Sequence, residues 1–154
     1  INSDSTIDLE QARQFKPISK GRLCESGDIL FSKINPRIPR LAVVPETNET
    51  FVCSNEFEII NVKDGISPYL LTEILKLSYV KQQVENLTSG TSSSHNRIKT
   101  EQLSEILVPL PREGTETKKR YDTIANEIEK SIKLKYMAQN NLSNQIHDLE
   151  DILI

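Results

Sequence analysis

The sequence has few of the residues from which disulfide-stabilised and metal-binding proteins are built. Its 154 residues include no tryptophan, two cysteines, two histidines and one methionine. Cys24 and Cys53 have neither CxxC spacing nor histidines beside them. We therefore expect two buried, reduced thiols rather than a disulfide or a metal site.

Signature motifs of common enzymes are also missing. The sequence has no GxGxxG, GxxxxGK[ST] or HExxH motif. A serine or cysteine nucleophile needs a positioned histidine. His95 lies on a predicted loop and His147 on a predicted helix surface, so neither is expected to serve. We expect no catalytic residues, no metal and no cofactor.

Long apolar runs are absent too. No stretch approaches the roughly 20 residues that cross a bilayer, and no charged start followed by an apolar stretch indicates a secretory signal. We therefore expect a cytoplasmic protein without a membrane partner. The chain opens at Ile1 and its only methionine is Met137. This is the pattern of an excised part of a longer polypeptide.

What the sequence does contain is an uneven distribution of charge. The formal net charge is −3, yet residues 13–40 hold seven lysines and arginines against two acids, a local charge of about +5. Residues 41–73 reverse the sign, with six acids against Lys63. Such a protein can present one basic face to an anionic partner.

The basic segment centres on two predicted strands, residues 28–31 and 41–44, entered through a Gly27-Asp28 turn. The loop between them, residues 33–40, is called the basic loop below. Its two prolines fix φ at about −65° and hold the cations on a stiff support. The candidate contacts with an anionic ligand here are Lys33, Arg37 and Arg40.

A second candidate site is the serine-rich segment, residues 88–97, which has no apolar and no acidic side chain. This composition fits a passive linker. Its hydroxyls, amide and guanidinium are also a dense set of donors for phosphate oxygens and base edges. We favour ligand contact, through Ser89, Thr91, Ser92, Ser93, Ser94, His95, Asn96, Arg97 and the adjacent Lys99.

Two acids on a predicted strand within residues 51–60 allow more than one interpretation. Glu56 and Glu58 alternate with apolar residues and so lie on one face of the strand. Two carboxylates on one face are compatible with a general acid-base pair or a metal site. No third ligand or positioned base lies nearby in the sequence. We interpret them as part of a solvated sheet face.

Further elements follow from local patterns. Ser67 and Pro68 open a predicted helix over residues 68–87 with a core-facing apolar stripe. Short edge strands are predicted at residues 15–18 and 106–111, where prolines occur. A helical turn is predicted over residues 100–106, and residues 1–10 are expected to be extended or frayed.

The last quarter of the sequence predicts one long helix. From about residue 116 to 153 there is no glycine or proline, and apolar residues recur at steps of three or four. The pattern predicts about 37 residues, roughly 55 Å of helix. A helix of this length cannot bury its apolar stripe against a small domain. We therefore expect it to pair with another helix, such as that of a second copy. Lys135 and Gln139 interrupt the stripe, which argues against a regular heptad coiled coil.

The expected fold class is therefore α+β. A mixed α/β globular domain over residues 1–113 is followed by one long C-terminal helix over residues 114–154, which serves as a spacer or dimerisation element.

Five stretches of the sequence carry a resemblance to a known family. They are GDILFSKINP at residues 27–36, SNEF at 54–57, PYL at 68–70, TSGTS at 88–92 with RI at 97–98, and ILVPLP at 106–111. In order and spacing they resemble the target recognition domain of the DNA specificity (S) subunit of type I restriction-modification systems, and its fused methylase relatives. The resemblance covers most of residues 20–150.

The resemblance implies a domain that reads one part of a split DNA site, followed by a spacer helix that packs against another helix. It also implies that the serine-rich segment and residues 27–33 approach DNA, which makes Ser32 a further candidate contact. In that family the chemistry belongs to partner subunits, which implies a DNA methyltransferase (modification) subunit and a restriction subunit as partners. A full S subunit has two recognition domains and two long helices, whereas this chain has one of each. It fits the C-terminal half of such a subunit, a half-length subunit that dimerises, or the tail of a fused methylase.

The expected function is sequence-specific recognition of double-stranded DNA by a non-catalytic module. Lysines and arginines would hold phosphates, and base edges would be read by asparagine on adenine and arginine on guanine. The candidate base contacts are Asn35, Asn96, Arg37, Arg40 and Arg97. The alternative is a structural or protein-interaction module that dimerises through its long C-terminal helix and whose loops are passive.

Overall fold

The computed structural model describes residues 1–16, 18, 20–88 and 96–153. Small antiparallel sheets and one long helix make it an α+β fold, as predicted. In chain order the elements are α1 (Leu9–Gln14), β1 (Arg22–Cys24), β2 (Ile29–Ser32), β3 (Leu41–Val43), β4 (Phe51–Cys53), β5 (Phe57–Ile60), α2 (Pro68–Ile74), α3 (Ser78–Leu87), α4 (Thr100–Leu103) and α5 (Glu116–Leu153).

Strand β2 is the centre of the larger sheet, whose order is β3-β2-β5. Both pairings are antiparallel, and Ile29 lies opposite Val43 on one side and Ile60 on the other. All residues of β2 and β3 are buried, so the sheet is covered on both faces at its centre. The predicted pair of strands around the basic loop is confirmed.

The predicted turn into β2 is also confirmed. Gly27 has a φ of 88°, a conformation that glycine adopts without steric cost. Its N–H donates to the Val44 carbonyl at 3.0 Å. The buried Asp28 carboxylate accepts hydrogen bonds from the Glu25 N–H at 2.8 Å and the Asn61 side-chain amide at 3.3 Å. This acid therefore has the partners that burial demands.

Strand β1 pairs antiparallel with β4 in a separate two-stranded sheet. The edge strand predicted at residues 15–18 is wrong for the residues described there. Phe15 ends α1 by donating its N–H to the Gln11 carbonyl at 3.0 Å, and neither Lys16 nor Ile18 is in a strand. Pro17 lies outside the described residues.

Cys24 and Cys53 lie on these two paired strands and are free, buried thiols, as predicted. Burial raises the pKa of the Cys24 thiol well above its ordinary value, and the neighbouring Cys53 thiol adds to the shift. Both residues therefore act as small apolar side chains of the core.

The strand predicted at residues 106–111 is wrong. Pro109 and Pro111 have no backbone donor with which to join a sheet. Leu107 pairs instead with the side chain of Gln83, donating its N–H at 2.9 Å and accepting from the Gln83 Nε2 at 3.0 Å. One glutamine side chain thus takes the role of a neighbouring strand.

The helix predicted over residues 68–87 is divided into α2 and α3. Ser67 caps α2 as predicted, accepting the Leu70 N–H at 3.3 Å, with Pro68 in the first turn. Leu77 has extended backbone and is the N-cap of α3, which begins at Ser78. The apolar stripe continues across this break because both helices face the same core.

Residues 1–10 are anchored rather than frayed. Ile7 and Leu9 are buried in the core. The Tyr136 hydroxyl, on α5, accepts the Ile7 N–H at 2.9 Å and donates to the Val43 carbonyl at 3.4 Å. Burial raises the pKa of Tyr136 to about 12. This tyrosine ties the N-terminal segment to both the sheet and the long helix.

Helix α5 confirms the predicted long helix and has 38 residues. Thr115 caps it by accepting the Lys118 N–H at 3.2 Å. Contrary to expectation, the helix does bury a stripe against the domain as far as Tyr136, through Ala125, Ile132 and Tyr136. Beyond Tyr136 its large apolar residues are exposed, and these are Met137, Leu142, Ile146, Leu149, Ile152 and Leu153.

In the part of the chain that the structure describes, no helix is both long and apolar enough to cross a bilayer.

Replacing Tyr136 by phenylalanine tests the anchoring of the N-terminal segment. We expect Tyr136→Phe to lower the free energy of unfolding by about 1–3 kcal/mol, because the buried Ile7 N–H loses its acceptor. Urea unfolding followed by circular dichroism measures the change. Tyr79→Phe is the control, since Tyr79 is 41% exposed, and should cost less than about 0.5 kcal/mol. Equal costs would contradict the anchoring role.

Candidate functional site

The basic loop and the end of the serine-rich segment lie side by side, although they are far apart in sequence. The Asn35 N–H donates to the Asn96 carbonyl at 2.8 Å. The Ile98 N–H donates to the Lys33 carbonyl at 3.2 Å. These backbone hydrogen bonds bring two of the segments singled out by sequence into one surface.

Arg97 has a fixed backbone and an open side chain. Its backbone forms an antiparallel bridge with Ile34. The next residue, Ile98, is 2% exposed and anchors this stretch in the core. The Arg97 side chain itself is 58% exposed. The guanidinium is therefore open to solvent while the backbone of Arg97 is held.

The basic loop is built around a hydrogen-bonded turn. The Ile38 N–H donates to the Asn35 carbonyl at 3.0 Å, with Pro36 in the second position of the turn, where its fixed φ fits. Asn35 has a φ of 50°, which asparagine tolerates better than most residues. The Ser32 N–H donates to the Arg40 carbonyl at 3.0 Å and closes the base of the loop.

Three exposed cations of the site face solvent. Arg37 and Arg40 lie on the basic loop, and Lys99 follows Ile98. Within the described residues none of the three has a carboxylate at ion-pairing distance. Their charges are thus available to an anionic ligand.

Lys33 has a different environment, because it is paired with an acid on β5. Its Nζ lies 3.3 Å from the Glu58 Oε2, and the two side chains are 20% and 17% exposed. The same oxygen accepts the Thr100 hydroxyl at 2.6 Å. The Arg22 Nη1 lies 3.9 Å from the other carboxylate oxygen. Glu58 is therefore a partly buried hub, and its interpretation as part of a solvated face is wrong.

Glu56 pairs with Arg97 at the edge of the site. The Arg97 Nη1 donates to the two carboxylate oxygens of Glu56 at 2.6 and 2.8 Å. The sequence interpretation missed Arg22, Glu56, Glu58 and Thr100 as members of the site. The excess of acidic residues in residues 41–73 was the sequence signal for these carboxylates. Local sequence pattern does not show which cation each carboxylate pairs with.

Two predicted contact residues are closed to solvent. Ser32 is 6% exposed and donates its hydroxyl to the Ile34 carbonyl at 3.2 Å. Asn96 is 2% exposed, and its backbone carbonyl supports Asn35. We assign both residues to the construction of the site rather than to direct ligand contact.

Six of the predicted contacts lie outside the described residues, namely Ser89, Thr91, Ser92, Ser93, Ser94 and His95. The described residues on either side of them are connected through Gln102. Its Nε2 donates to the Leu87 carbonyl at 2.7 Å, and its Oε1 accepts the Lys99 N–H at 2.8 Å. The end of α3 is thereby held against the start of α4.

The exposed groups of this surface are hydrogen-bond donors and cations of the kind that anions accept. Guanidinium groups donate parallel hydrogen bonds to phosphates and carboxylates, and ammonium groups act as point charges. In the described ranges, no three histidine, cysteine, aspartate or glutamate side chains are grouped as metal ligands would be.

Comparison of the chain with protein-family models and with curated proteins found no match. The interpretation of the surface therefore depends on its own geometry and charge.

The hub role of Glu58 can be tested by Glu58→Gln. We expect it to lower the free energy of unfolding by about 1–2 kcal/mol, because it leaves the mostly buried Lys33 without its counter-charge. Glu49→Gln is the matched control, since Glu49 pairs with Arg13 at 2.6 Å with both side chains about half exposed, and it should cost at most about 1 kcal/mol. Urea unfolding compares them. A larger cost for Glu49→Gln would refute the assignment.

Proposed function

We propose that the chain is a sequence-specific DNA recognition module of a type I restriction-modification system. It directs a partner methyltransferase (modification) subunit and a restriction subunit to the target site. The observation that carries the proposal is the backbone pairing of the basic loop with residues 96–98. This pairing assembles cations from two segments on one rigid support, which is what recognition of a regularly spaced polyanion requires.

In this proposal the cations divide into two roles. Arg37, Arg40 and Lys99, which are exposed and lack a nearby acid in the described structure, hold phosphates and set the orientation of the duplex. Arg97 and Asn35, which lie where the backbones of the two segments pair, read base edges, guanine by arginine and adenine by asparagine. The module itself is non-catalytic, needs no cofactor and acts in the cytoplasm.

The second half of α5 supplies a docking element for the partner subunits. Its exposed apolar residues follow a four-three-four spacing that places them on one side of the helix. The residues of this stripe are Leu142, Ile146, Leu149 and Leu153.

The same stripe favours the second candidate function, a structural or protein-interaction module that dimerises through α5. Exposed apolar helix residues are a common basis for helix pairing. Under this alternative the basic loop is passive, and only changes on the helix affect function.

DNA binding measured by fluorescence anisotropy over a range of salt separates the two candidates. Arg37→Ala and Arg40→Ala should each weaken binding about three- to tenfold at roughly 0.1 M salt and reduce the salt slope by about 0.9, because each removes one phosphate contact. Arg120→Ala is the control: it removes the same charge from an exposed position on α5 and should leave affinity nearly unchanged.

The same titration is repeated with a candidate methyltransferase subunit added. Binding only in the complex would show that the partner holds the module on the duplex. Absence of binding in both cases, with a dimer in analytical ultracentrifugation that Ile146→Asp and Leu149→Asp dissociate, would favour the interaction module.

A further inference from the structure

Glu56 occupies the position that an anionic ligand of Arg97 would take. The Arg97 Nη1 donates to both of its carboxylate oxygens. A guanidinium offers the same donors to a carboxylate, a phosphate or the O6 and N7 of guanine. The Glu56 carboxylate and a nucleic acid therefore compete for the Nη1 donors of Arg97.

The backbone is fixed on both sides of this ion pair. Arg97 is bridged to Ile34, and the Glu56 carbonyl accepts the Lys33 N–H at 2.8 Å. Since both residues are attached to the base of the basic loop, the ion pair can open by rotation of its side chains alone. Opening it leaves the rest of the site in place.

The two acid-cation pairs of the site differ in burial. Lys33 and Glu58 are 20% and 17% exposed, whereas Arg97 and Glu56 are 58% and 38% exposed. An exposed ion pair contributes at most about a fivefold factor to an equilibrium. The Arg97–Glu56 pair is thus the more easily opened of the two, while Glu58 remains with Lys33.

We propose that Glu56 is a specificity-determining residue that competes with DNA for Arg97 and so lowers the affinity for DNA of arbitrary sequence. The inference rests on the proposed function, DNA binding through the basic loop. Affinity for arbitrary DNA comes almost entirely from phosphate contacts. A cation that is released only by a well-matched site raises the ratio of target binding to non-specific binding.

The experiment is fluorescence anisotropy of the full chain with a labelled duplex of arbitrary sequence, over a range of salt. Glu56→Gln should bind about three- to fivefold more tightly at low salt, and its salt slope should be steeper by about 0.9, the value of one phosphate contact. In an Arg97→Ala background the same substitution should change affinity much less, because the cation that it releases is absent.

Glu49→Gln is again the matched control. Glu49 and Arg13 form an ion pair of the same 2.6 Å length and comparable exposure. That pair joins α1 to the connection between β3 and β4, outside the site. The control removes the same charge and releases an arginine elsewhere, so its affinity for the duplex should stay within about twofold of the wild type.

Each outcome supports or overturns the inference. If the wild type binds and Glu56→Gln binds no more tightly, or if Glu49→Gln gains as much, the inference fails while the proposed function stands. If neither the wild type nor Glu56→Gln binds, alone or with the candidate methyltransferase subunit added, both fail. Binding by Glu56→Gln with a gain that Arg97→Ala abolishes supports both.

Discussion

The pairing of β2 along both edges is the constraint on which the rest of the structure depends. It fixes the position of β3, into which the basic loop leads, and of β5, which carries Glu58. Because Ile29 has no exposed surface, the register of these strands is set by the core. A slip of one residue would turn every side chain of a strand to the opposite face, and Glu58 would no longer meet Lys33. The charge arrangement of the surface is thus a consequence of core packing.

Elements with a strong local signal could be predicted from the sequence. The two strands around the basic loop and the 38-residue helix needed only periodicity and the positions of glycine and proline. Short segments could not be predicted in this way, because the groups with which they pair lie elsewhere in the chain. Leu107 pairs with a glutamine side chain, and the polar residues at the start of the chain meet groups on α5. The break between α2 and α3 leaves the apolar stripe intact and so has no local signature.

The candidate site could likewise be predicted only in part from the sequence. Composition located the cations, since a charge cluster is visible along the chain. It did not locate the carboxylates that pair with two of them, because the contact between Arg97 and Glu56 exists only once distant strands have come together. Nor did it reveal that Ser32 and Asn96 are buried. Side-chain type indicates which chemistry is available, whereas accessibility is decided by tertiary packing.

The hydroxyl of Tyr136 also affects the order in which the chain can fold. It joins residues that are 129 positions apart, and contacts of such separation form late because a long loop must close first. During synthesis, the Ile7 N–H lacks this acceptor until the part of α5 that carries Tyr136 has left the ribosome. The sheet can assemble earlier, so the N-terminal segment is expected to close onto a preformed core as a final, cooperative step.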